Sequence, residues 1–309
     1  RLPNNTAAMA HMLLNCPDLL NSFLALIDWD SLTRFAEMAH RRPALPEYLP
    51  IQRQLQALAD IHLESSHFFK QHFHKILNKY PVFIKHLYNN EKLKEITDGT
   101  YSDISSLAFL EERIEQLGDY YDLEFVRVSL LAMSGVGSEQ TDAEFVEFCD
   151  NYTQLLHELC QQDVHLSLGY SMHTHDRFAF YAAGGHAREQ GFDDDYDMIV
   201  ILDSSDPDEI EFCNKIVGKM NMQVLKRGVL PHHRFADHFG TYCISLPQIE
   251  ELLSADSEDT FVDQSQALCS RMLVGTTKLE QKFLENIITP FIFERSSKYI
   301  EAMKGEMDC

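Results

Sequence analysis

Between Phe178 and Leu202 the chain reads FAFYAAGGHAREQGFDDDYDMIVIL. Asp195 and Asp197 stand one residue apart at the head of an apolar run, Met198–Leu202, which the pattern predicts to be a strand. Alternate side chains of a strand share a face, so the two carboxylates project together at its start. Hard anionic oxygen donors of this kind suit Mg²⁺, which keeps one or two protein carboxylates and completes its shell with water and substrate phosphates. Upstream, Phe178–Tyr181 reads as a short strand, and Gly184-Gly185 as a turn free of Cβ clashes. An isolated acidic pair at a strand end is more often solvated or a helix cap, and Asp193–Asp195 could equally be a charged loop that keeps a sheet edge soluble. The glycines, Arg188-Glu189 and apolar strands on both sides favour metal binding.

The elements that must position these groups follow from hydrophobic period. Up to about residue 163 nearly every segment repeats at helical spacing: Leu13–Ile27, a run from Ile51 to Tyr80 closed by Pro81, and a stripe of Ile104, Leu107, Leu110, Ile114 and Leu117 in a helix started by Asp103. Thr141 and Glu144 make a T-x-x-E capping box before a helix Glu144–Cys160. Beyond it short strands are expected at Phe178–Tyr181, Met198–Leu202, Gln223–Arg227 and Thr241–Leu246, with a helix Pro207–Met220 between the second and third, and helical period returns from Phe261 to Met303. The expected fold is α+β: an N-terminal helical bundle over 1–163, a small mixed sheet over 164–258, and C-terminal helices over 259–309.

The formal charge of −22 argues against a nonspecific nucleic-acid binder, because a net acidic surface repels a phosphate backbone. Seven scattered cysteines without a C-x-x-C pair fit reduced thiols. No apolar run approaches the roughly 20 residues of a membrane span, and RLPNNTAAMAH lacks a signal-peptide layout, so a cytoplasmic protein without a membrane partner is expected. The chain starts at Arg1 and ends at Cys309, the layout expected of a segment of something longer. His62, His67, His72 and His74 lack the i,i+4 step of paired helical ligands and read as solvated. His232 and Arg234 fall in a loop, where a plain loop role is simpler than lining a nucleotide site.

Gly184-Gly185-His186-Ala187-Arg188-Glu189 followed by Asp195-Tyr196-Asp197 resembles the signature of the polymerase-β-like nucleotidyltransferase superfamily. More narrowly it is similar to glutamine synthetase adenylyltransferases, and its Gly-Gly-x-x-Arg form to uridylyltransferases of the PII protein. Tyr121–Val128, Gly240–Leu246 and Gln266–Gly275 are similar to other segments of the adenylyltransferase family. The resemblance implies Asp195 and Asp197 as catalytic metal ligands for Mg²⁺ or Mn²⁺, Gly184 and Gly185 as the turn whose N–H groups meet the triphosphate of ATP, and Arg188 as a partner of a phosphate or of Asp193 and Asp194. It implies transfer of AMP to a hydroxyl, on a protein acceptor, with UTP left open as the donor. The family's third carboxylate lies on a later strand; the matching stretch, Val224–Pro231, places Lys226 there. That departure opens a second expectation, a catalytically degenerate module that binds a nucleotide or a regulatory partner.

Overall fold

The computed structural model describes residues 72, 76, 79–84, 86, 89–133, 136–170, 172, 174, 176–189, 196–254 and 260–307. The helices expected before residue 72, His62, His67, His74, and Asp193, Asp194 and Asp195 lie outside the described residues. The chain divides into two compact units, Arg1–Thr141 and Asp142–Cys309. The described part is mixed α and β, mostly helical, with one four-stranded sheet.

In the first unit the helices Asn90–Asp103 and Leu110–Met133 pack against each other. The helix expected to start at Asp103 starts instead at Leu110. Asp103 ends the preceding helix, and Ile104–Ser106 tighten into a 3-10 turn. Ser102, Ser105 and Ser106 donate their hydroxyls back to the carbonyls of Asp98, Ser102 and Asp103, the local bonding by which serine draws a chain out of continuous helix. Every residue of Tyr121–Val128 is buried, including Asp122, Glu124 and Arg127. The charges are tolerated because each is paired: Arg127 Nε donates to Glu124 at 2.8 Å, its Nη1 donates to Asn90 at 3.0 Å, and Thr97 donates to Glu124. His72 corrects its reading as a solvated residue, for it is fully buried with Nδ1 2.5 Å from Asp122.

The second unit holds the sheet, in the order β3-β2-β1-β4. β1 (Phe178–Ala182) runs antiparallel to β2 (Tyr196–Leu202) and to β4 (Arg271–Val274), whereas β3 (Pro231–His233) is parallel to β2. The central strands are covered on both faces, which is why they read as continuous apolar runs. One face carries Ala179, Tyr181, Ile199 and Ile201 into a core with Ile249, Leu279, Phe283 and Ile287. On the other face, the helix Ser138–Leu168 stacks His157 on Phe178 and lays Thr153 against the Tyr196 hydroxyl.

Four sequence expectations change here. Gln223–Arg227 is not a strand but the end of the helix Pro207–Lys226, whose apolar stripe runs unbroken through Phe212, Ile216, Met220 and Val224. Thr241–Leu246 forms no strand beyond a single bridge, Ile201 to Ile244, because Asn214 takes over its backbone, accepting from the N–H groups of Tyr242 and Cys243. Arg271–Val274, read as helical, is the fourth strand. Thr141 does not cap a helix; it lies inside Ser138–Leu168 and donates to the Gly137 carbonyl. Among the described residues no helix is long and apolar enough to cross a membrane.

Candidate functional site

Asp197 is the second residue of β2, on the same face as Ile199 and Ile201 but less buried than they are, with 17 % of its side chain exposed. Its carbonyl accepts from Ala183 N–H at 2.9 Å, which fixes the chain leaving β1 directly beside it. There Gly184–Ala187 forms a single helical turn. Gly184 has φ +59°, and a Cβ placed on it would strike the Asp197 carboxylate, 2.9 Å from Cγ. The close approach of turn and acid therefore requires glycine. Gly184→Ala is expected to cost about 1–3 kcal/mol of stability, from left-handed strain plus a displaced carboxylate, measured by urea denaturation.

The turn is pinned from behind by groups that the sequence pattern did not single out. His186, 2 % exposed, places Nε2 3.0 Å from Asp150 and packs its ring 5.0 Å from that of Tyr196. Asp150, on the helix Ser138–Leu168, also receives both terminal nitrogens of Arg271 from β4, at 2.5 and 3.0 Å. Burial alone would raise the Asp150 carboxyl, but hydrogen bonds from His186 and Arg271 outweigh it and hold the group below its usual range. Helix, glycine turn and β4 thus meet at one carboxylate.

β3 closes the other side. Its register sets His232 beside Asp197, and Arg234 N–H donates to the Met198 carbonyl at 2.9 Å. The Arg234 guanidinium follows, with Nε 3.6 Å from Asp197. The stretch expected to carry the third acid, Val224–Pro231, closes a helix and leads into β3, and the residues set beside Asp197 are His232 of β3 and Arg234 just after it. Lys226 is not at that position, being exposed at the end of its helix. Among the described residues the only two non-glycines with positive φ are Glu189, which follows the glycine turn, and Phe235, which follows Arg234. Strain of this kind, of order 1–3 kcal/mol each, persists where the surrounding structure dictates it.

Of the residues singled out by sequence, the structure brings together Gly184 and Asp197, with Gly185 buried in the same turn. Arg188 ends the turn, its N–H bonding the carbonyls of Gly184 and Gly185, and its side chain is exposed. Asp195 lies outside the described residues. Among the described residues no three His, Cys, Asp or Glu side chains converge as metal ligands. Among the described cysteines, burial pushes the Cys160 thiol up to about 12 and the Cys213 thiol up to about 11. His186, Asp150 and Arg271 could be found only with the fold in hand, because their partnership joins three elements 36 and 121 residues apart. No protein-family model matches the chain, and no curated protein matches it.

Proposed function

We propose that this protein is a Mg²⁺-dependent nucleotidyltransferase that moves AMP from ATP to a hydroxyl on a protein acceptor in the cytoplasm. The observation that carries this reading is the seating of the Asp197 carboxylate against Gly184, at a point where only glycine fits, in the order strand, glycine turn, acidic strand. The donor set fits the metal in kind, for Asp197 is a hard oxygen donor that retains 17 % side-chain exposure and Mg²⁺ needs no more than one or two such carboxylates. Bound Mg²⁺ or Mn²⁺ would neutralise charge developing at the transferred phosphorus. Asp197, with Asp195 two residues before it, holds that ion. The N–H groups of Gly184 and Gly185 meet the triphosphate, and Arg188, exposed on the same turn, orients a phosphate. Arg234 adds positive charge beside Asp197. The acceptor supplies the attacking hydroxyl, so this chain needs no nucleophile of its own.

A second reading, a degenerate nucleotide-binding regulatory module, is favoured by one observation: His232 of β3 and Arg234, just after that strand, stand beside Asp197. A Mg²⁺ reaction with α-labelled ATP and cell extract separates the two. Label on an acceptor, lost at least about 100-fold in Asp195→Asn/Asp197→Asn, is the expected result for the enzyme. Nucleotide binding without transfer would assign the module, and absence of both binding and transfer would overturn both readings.

A further inference from the structure

Arg234 is held at both ends. Its backbone N–H is spent on the Met198 carbonyl at 2.9 Å, and the next residue, Phe235, has φ +70° and is buried in the core shared with Ile199 and Ile201. The side chain is partly buried, with Nε 3.6 Å from Asp197 Oδ1, an ion pair beyond hydrogen-bond length. The Nε atom is itself shut off from solvent, and among the described residues no group accepts its N–H.

A buried N–H without an acceptor is rare in a folded chain, and each one calls for a reason. A guanidinium presents its donors as a planar fork that matches two oxygens of a carboxylate or a phosphate. Asp197, at 3.6 Å, attracts this fork without completing it. The acceptor that the fork requires is therefore an oxyanion entering beside Asp197. Charge narrows the choice. A bare anion there would face the Asp197 carboxylate, whereas a phosphate that arrives with a divalent ion brings the positive charge that neutralises it. A second divalent ion is disfavoured at the same place. Paired ions of phosphoryl-transfer sites stand roughly 3.5–4 Å apart and share carboxylates, so the second would settle against a guanidinium of like charge.

We propose that Arg234 binds a phosphate of the nucleotide through its Nε–H and a terminal N–H, in the place of a second divalent ion, so that the site carries one ion per nucleotide. This rests on the reading of the Gly184 and Asp197 junction as a Mg²⁺–nucleotide site. Arg234 is then a phosphate-binding residue, and its planar fork matters as well as its charge.

Equilibrium dialysis of Mn²⁺ and α-labelled ATP against the whole chain at neutral pH counts the ions carried per bound ATP. One is expected; two overturns the proposal and leaves the nucleotide reading standing. Arg234→Gln is expected to weaken ATP binding at saturating Mg²⁺ at least about tenfold and not to weaken Mn²⁺ binding measured without nucleotide. A residue that served only the fold would lower both, and that result also overturns the proposal. If Arg234→Gln lacks the wild-type circular dichroism, Arg234→Lys, which keeps the charge without the fork, carries the same comparison. Wild-type ATP affinity in the folded variant overturns the proposal alone. Absence of ATP binding to the wild type, or binding that carries no ion, overturns it together with the reading on which it rests.

Discussion

Asp150→Ala is expected to lower stability by about 2–4 kcal/mol and to reduce any Asp197-dependent turnover at least tenfold. The carboxylate accepts two bonds from Arg271 and one from His186, so its removal strands a guanidinium and an imidazole together. Breaking a buried pair by deleting one partner costs about 3–5 kcal/mol, and the lower range applies because Asp150 and Arg271 retain 19 % and 35 % side-chain exposure. The loss of turnover follows from position: His186 is part of the turn whose Gly184 touches Asp197. Asp150→Asn, which keeps one acceptor oxygen, should fall between the two. Urea midpoints and labelled-ATP turnover measured on the same preparations check this, and a wild-type midpoint for Asp150→Ala would contradict it.

Acidification is expected to destabilise the sheet unit well above the range where carboxylates protonate. Burial lowers His157 from 6.5 to about 4, and burial likewise lowers His233 to about 4, opposed by Asp237 and reinforced by His232. Each is neutral in the fold and binds a proton in the unfolded chain between those values. The unfolded state therefore holds more protons in that window, and stability falls as pH drops from about 6.5 to 4. At about 1.4 kcal/mol per pKa unit the loss is on the order of 2–3 kcal/mol for each histidine at pH 4. Asp150, depressed in the fold, adds a loss of the same sign only below about pH 4, where the unfolded carboxyl gains its proton. Melting temperatures at pH 7.0 and 4.5 should separate by markedly less in His157→Phe than in the wild type. Equal separation would remove His157 from the explanation.

The parts of the fold legible in sequence were those where one local signal stood without a rival. β1 and β2 announce themselves as apolar runs bounded by Gly and Asp, and both occur with ends displaced by no more than two residues. The helix from Pro207 was legible from its start, where Asp206 caps it and Pro207 opens it. Its end was not, because Val224-Leu225 invites a strand while Val224 continues the buried stripe of the helix. β4 was hidden because four residues carry too little period to oppose the helical pattern around them, and it exists by pairing with β1, a partner some 90 residues earlier. The same limit governs the site. Gly184 and Asp197 share a local motif, whereas Asp150, His186 and Arg271 are assembled by packing, and the parallel register of β3, not its sequence, puts His232 and Arg234 beside Asp197.

The functional reading rests on the junction of Gly184 and Asp197 being a Mg²⁺–nucleotide site. Calorimetric titration of ATP with and without Mg²⁺, into the wild type, Gly184→Val and Asp197→Asn, tests that junction directly. The expected result is binding that requires Mg²⁺ and weakens at least tenfold in each variant, with Asp197→Asn retaining the wild-type fold by circular dichroism. ATP binding that ignores Mg²⁺, or that keeps its affinity in both variants, would contradict it.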